Sequence, residues 1–156
     1  MLNELRELYQ EVILDHGKHP RNLRQPADAN REARGNNPMC GDRITVYLTI
    51  DADGRIADAA FQGKGCAISQ ASASMMTELL RGKTQAEAEA LFKSFHRMCT
   101  EEGFDPGDVP GAEADAMERL QVLSGVREFP MRVKCATLAW HTMNAAMKGE
   151  GKATTE

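Results

Sequence analysis

Residues 44 to 62 constrain the fold more tightly than any other stretch of the chain. Ile44, Val46, Leu48 and Ile50 alternate with Thr45, Tyr47 and Thr49, the two-residue period of a strand with one buried face. Asp51 to Gly54 reads as a turn, and Arg55 to Gln62 returns as the second arm of a hairpin. The alternation slips between Ile56 and Ala59, which predicts a bulge.

The remaining apolar residues recur at helical spacing. Leu5, Leu8, Tyr9, Val12 and Ile13 open the chain with an amphipathic helix, which Gly17 and Pro20 stop. A polar stretch runs from Arg21 to Pro38, with a short strand expected near Glu32 to Gly35. Ile68, Ala71, Met75 and Leu79 share the face of a second helix ended by Gly82. Thr84 and Glu87 form a capping box ahead of Leu91, Phe92, Phe95 and Met98. An acidic loop spans Glu101 to Gly111. Met117, Leu120 and Leu123 then mark a helix closed by Gly125, and Pro130 precedes a last helix carrying Ala136, Ala139, Trp140, Met143 and Met147.

Strands come first and helices follow, so the expected class is α+β: a small antiparallel β-sheet packed against helices. At 156 residues the chain is long enough for one core. The expectation is a single domain over residues 1–148, with a disordered tail over 149–156.

A net charge of −4 argues against nucleic acid as a partner, because no basic surplus exists to neutralise phosphates. No run is long enough to cross a membrane, and Glu4, Arg6, Glu7 and Glu11 interrupt the stretch where a signal peptide needs apolar residues. The expected location is the cytoplasm, where the four cysteines stay reduced and point to metal or sulfur chemistry.

Three of those cysteines sit at element boundaries. Cys40 lies in Asn37-Pro38-Met39-Cys40-Gly41-Asp42, ahead of the first strong strand. Cys66 ends Gly63-Lys64-Gly65-Cys66, between the hairpin and a helix, and Cys135 follows Arg132-Val133-Lys134 at the start of the last helix. The adjoining glycines allow close backbone approach to a bound atom. Exposed amides at a helix N-terminus would favour thiolates at Cys66 and Cys135. Thiolates with one carboxylate suit tetrahedral zinc, and the same thiolates suit an iron–sulfur cluster. The long gaps between them are unlike a compact zinc finger, so spacing alone leaves simple burial open. Cys99 follows the apolar stripe of its helix and reads as core, while His16 and His19 read as turn residues and His141 as a surface or satisfied helix residue.

In combination these segments resemble the IscU/NifU-type iron–sulfur cluster assembly proteins over about residues 5 to 148. The resemblance rests on Cys40-Gly41-Asp42, on Gly-x-Gly-Cys followed by Ser69, Ser72 and Ser74, on Lys134-Cys135, and on the run His16-Gly17-x-His19-Pro20-Arg21-Asn22. Lys134 stands where IscU-type members carry His, and Phe129 to Lys134 replaces their chaperone motif. Together with a long link between the second and third cysteines, this resembles the SufU branch.

That resemblance implies an IscU/SufU-like fold and zinc held by Cys40, Asp42, Cys66 and Cys135. It implies a zinc-dependent sulfurtransferase that takes persulfide sulfur onto Cys40 from a SufS-type cysteine desulfurase, with a desulfurase histidine displacing that thiol from zinc. Arg132 matches a supporting arginine. Downstream partners would be a Suf scaffold or iron–sulfur acceptor proteins. The alternative is a scaffold carrying a [2Fe–2S] cluster or Fe2+ on the same ligands, and a second alternative is an adaptor whose zinc is purely structural.

Overall fold

The computed structural model describes residues 2–38, 41–101, 103–104 and 111–154. Helix α1 (Leu2–Lys18) precedes strands β1 (Arg31–Asn37), β2 (Asp42–Ile50) and β3 (Ile56–Lys64). Helices α2 (Ala67–Leu80), α3 (Gln85–Thr100) and α4 (Gly111–Leu120) follow. A 3-10 segment (Gln121–Glu128), helix α5 (Pro130–Met147) and a short strand β4 (Lys152–Thr154) complete the order. The sheet runs β3-β2-β1-β4, antiparallel except for the parallel pairing of β1 with β4. This is the expected α+β architecture.

The period of β2 places Ile44, Val46 and Leu48 under the helices, where Phe61 and Ala59 of β3 join them. Thr49 pairs with Asp58 and Ile50 with Ile56, so Ala57 is the extra residue of the expected bulge. The edge of β3 is covered by the chain after α1: Phe61 exchanges backbone hydrogen bonds with Asn22 (3.0 Å) and Arg24 (3.0 Å).

Helix α5 is buried on nearly every side, from Cys135 through Leu138, Trp140 and Met143 to Met147, so it forms the centre of the molecule. Proline at its first position supplies a preset φ where no amide partner is needed. Trp140 stacks on Phe95 of α3, with ring centroids 4.8 Å apart. The capping box of α3 forms in both directions, Glu87 N–H to Thr84 Oγ1 (3.2 Å) and Thr84 N–H to Glu87 Oε1 (3.1 Å).

Helix α2 buries small and hydroxylated residues as well as methionines. Ser72 Oγ donates to the Ala136 carbonyl and accepts from Trp140 Nε1 (3.1 Å), tying α2 to α5. Ser74 Oγ accepts the Arg21 N–H (2.8 Å) and lies 2.8 Å from His16 Nδ1, tying α2 to α1. Buried hydroxyls of this kind are satisfied locally and allow helix axes to approach closely.

Several expectations need correction. Leu8 is 54% exposed, so among the described side chains α1 turns Val12, Ile13 and His16 inward instead. His16 is a buried residue within α1, not a turn residue. Gly125 does not close a helix; α4 ends at Leu120 and the chain tightens into the 3-10 segment through Glu128. Lys152–Thr154, inside the segment expected to be disordered, pairs with β1 because the close of α5 returns the chain to an open sheet edge. Most of the acidic loop, Glu102 and residues 105–110, lies outside the described residues.

Burial, followed by the charge of Arg21, lowers the pKa of His16 below its ordinary 6.5. Burial, followed by His96, does the same for His141. At pH below about 6.5 the unfolded chain therefore binds more protons at these sites than the native chain. The stability they contribute is complete above that pH and declines as pH falls. Urea titrations should give a constant midpoint at neutral and mildly alkaline pH and a falling one as pH drops below about 6.5, with a shallower fall in His16→Gln.

Candidate metal centre

Asp42 opens β2 on the same face as Ile44, Val46 and Leu48, so the alternation that builds the core also buries this carboxylate, which is 2% exposed. Asn37 pairs with it across the β1–β2 ladder. Cys66 occupies the N-cap of α2 in extended conformation, where its Sγ accepts the Ser69 N–H at 3.5 Å. Cys135 lies in the second turn of α5 and is 4% exposed. Cys66 therefore meets the amides of a helix N-terminus as expected, whereas the placement of Cys135 is corrected: it sits beyond the free amides of the first turn.

The ligand atoms of Asp42, Cys66 and Cys135 all lie within 4.8 Å of one another. Among the described residues no other three His, Cys, Asp or Glu side chains converge in this way. Cys40 lies outside the described residues, two positions before Asp42 in sequence.

Two observations show that the group suits a cation. Asp42 Oδ1 accepts the backbone N–H of Cys66 at 3.2 Å, while buried Oδ2 has no hydrogen-bond partner among the described residues. A buried carboxylate with an empty acceptor is costly unless a positive group faces it. The donor set of two sulfurs and one oxygen is also within the ordinary repertoire of zinc, at a separation that permits shared coordination.

Glycines shape this corner. A Cβ on Gly65 would stand 2.9 Å from Asp42 Oδ1 and 3.0 Å from Ser69 Oγ, so only a residue without one lets the carboxylate reach Cys66. Gly63 holds φ at 152°, and a Cβ there would collide with the Arg43 carbonyl, so a glycine lets the Cys66 segment run close to β2.

The other candidates are not among the three converging ligands. Arg132 is exposed, and its guanidinium lies 4.7 Å from the centre of the Phe129 ring, at a cleft of about 600 Å³ lined by Tyr9, Ile13, Leu14, Ile68 and the 3-10 segment. Cys99 is fully buried in α3, and burial pushes its thiol up to about 12, which keeps it protonated and inert. His96 and His141 form an edge-to-face aromatic group with Phe92, apart from the three ligands.

Sequence reasoning missed one polar residue of the site. Asn37 is fully buried, and its Nδ2 donates toward Cys135 Sγ at 3.9 Å. The signal was present: in β1 the buried positions are Ala33, Gly35 and Asn37, so the alternation carries an amide into the interior.

This geometry defines a class: a small α+β domain with a candidate metal site of one carboxylate and two cysteines at the junction of sheet and helices. Residues 8–136 match the NifU-like N-terminal domain, and the chain belongs to that family. It is 41% identical to the iron–sulfur cluster assembly scaffold protein IscU of Streptococcus pyogenes serotype M1, over 97% of this chain and 90% of the relative. It is 39% identical to the zinc-dependent sulfurtransferase SufU of Bacillus subtilis strain 168, over 92% and 91%. The crystal structure of FiSufU from Fervidobacterium islandicum AW-1 superposes with a TM-score of 0.74 at 35% identity, covering 90% of this chain and 97% of that one. No helix among the described residues is long and apolar enough to cross a membrane.

Gly65→Ala should push the Asp42 carboxylate away from Cys66 and weaken zinc binding roughly tenfold or more, as losses around a metal's ligands commonly do. Competition with a chromogenic chelator measures this, and the far-ultraviolet circular dichroism of the variant should remain that of the parent.

Proposed function

We propose that the protein is a zinc-dependent sulfur carrier in iron–sulfur cluster assembly, accepting persulfide sulfur on Cys40 from a SufS-type cysteine desulfurase. The observation that carries this reading is the convergence of Asp42, Cys66 and Cys135 around a buried carboxylate oxygen that has no partner among the described residues. Cys40 completes the ligand set by its position in Cys40-Gly41-Asp42. The similarity to the sulfurtransferase SufU supports the choice of chemistry.

Bound there, zinc would keep the thiolates deprotonated near neutral pH while damping their nucleophilicity. Asp42 contributes the one hard donor, which makes the set easier to open than one built from cysteine alone. In the transfer itself, the Cys40 thiolate attacks the outer sulfur of the donor's persulfide. A sulfur–sulfur bond forms on Cys40, the donor's own bond breaks, and the donor cysteine leaves as a thiolate. No oxidant is required. Arg132, one turn before Cys135 and exposed, supplies positive charge near the approaching persulfide. The sulfur then passes to a Suf scaffold or to an acceptor protein, in the cytoplasm.

A second reading is supported by the similarity to the scaffold protein IscU: a [2Fe–2S] cluster or Fe2+ held on the same ligands. Lys134 in place of a histidine beside Cys135 favours the first reading, because a lysine ammonium offers no lone pair to a metal. A purely structural zinc is a weaker account of a site with an exposed cysteine, Cys66.

Metal and acid-labile sulfide are the deciding quantities in protein purified without oxygen. Zinc near one per chain without sulfide is the expected result; iron with matching sulfide would make the scaffold the correct account. With the desulfurase present, Cys40→Ser should lose stimulation of alanine release completely while retaining the fold. Full stimulation by that variant would remove Cys40 as the acceptor.

A further inference from the structure

Asn37 connects two residues of the proposed ligand set, Asp42 and Cys135. Its backbone pairs with Asp42 at the end of the β1–β2 ladder. Its carbonyl accepts the Gly41 N–H at 2.9 Å, closing the connection in which Cys40 lies by sequence. Its side chain is fully buried and aims Nδ2 at Cys135 Sγ, 3.9 Å away.

We infer that Asn37 is a positioning residue that makes Cys135 the retained, quiet sulfur of the centre. The reasoning rests on the reading of Asp42, Cys66 and Cys135 as metal ligands. A neutral thiol is a weak acceptor, whereas a thiolate accepts charge-assisted hydrogen bonds. An amide N–H buried against sulfur is therefore best matched to the anionic, ligating form of Cys135. The hydrogen bond also withdraws electron density from that sulfur and holds its lone pairs in one orientation, as hydrogen bonds around metal ligands do.

The sulfurs are consequently unequal. Cys66 is exposed and takes a hydrogen bond from a helix amide, while Cys135 is enclosed and takes one from the Asn37 side chain. A centre that must release one thiolate to attack a persulfide, without losing its metal, needs at least one sulfur that stays bound. Asn37 assigns that task to Cys135. The same residue closes the Cys40 connection through its backbone, so the holding sulfur and the segment of the reacting sulfur share one anchor.

The test compares zinc-loaded parent protein with Asn37→Leu and Asn37→Asp. Zinc release to a chromogenic chelator is followed alongside the alkylation rate of each cysteine, resolved by peptide mass spectrometry. Both variants should release zinc about ten to a hundred times faster than the parent. Alkylation should accelerate at Cys135 relative to Cys66, raising the ratio of the two rates by a similar factor. Asn37→Asp preserves the volume of the side chain, so it gives the reading if Asn37→Leu folds poorly. General loosening of the fold would speed both cysteines together and leave that ratio unchanged, which would overturn the assignment of Asn37. Unchanged zinc release and an unchanged ratio would overturn it too. Failure of the underlying metal site shows differently: the parent itself would bind no metal and Asp42→Ala would change nothing.

Discussion

The contact between α2 and α5 is the constraint on which the rest of the molecule depends. Ser72 donates to the Ala136 carbonyl and accepts from the Trp140 indole, so one buried hydroxyl spans both helices with its hydrogen-bonding capacity used. Trp140 fills the far side by stacking on Phe95. Cys66 begins the first of these helices and Cys135 stands in the second turn of the other. Holding the helices together therefore brings the two sulfurs together.

The sheet supplies the third component by the same economy. The face of β2 that buries Ile44, Val46 and Leu48 also buries Asp42 at its first residue. There the carboxylate meets the Cys66 amide because Gly65 leaves room for it. Collecting a carboxylate and thiols in a region poor in water costs stability unless a cation is present. A metal bound by this group would therefore be linked to folding.

Sequence periodicity made much of the fold legible. The β2–β3 hairpin, its bulge, the capping box of α3 and the buried course of α5 all follow from spacing within a short window. The failures share a different cause. Leu8 has helical spacing like its neighbours, but the direction of the packed face depends on where α2 lies. Gly125 looks like a helix stop, yet the chain had already tightened at Leu120. Lys152–Thr154 has no strand pattern; it becomes a strand because an open edge of β1 is beside it. Asn37 went unread because polarity at a buried position is informative only once the partner is known.

What the sequence by itself determined is local: Asp42 on the inward face of a strand, Cys66 at the start of a helix, and a pattern of residues capable of binding metal. Backbone geometry imposes those periods within a few residues, so they are encoded where they occur. The tertiary structure alone decided that Asp42, Cys66 and Cys135 converge within 4.8 Å. It also decided that Asn37 faces Cys135. These relations join residues far apart in the chain, and their distances are set by how whole elements pack, which no short stretch of sequence contains.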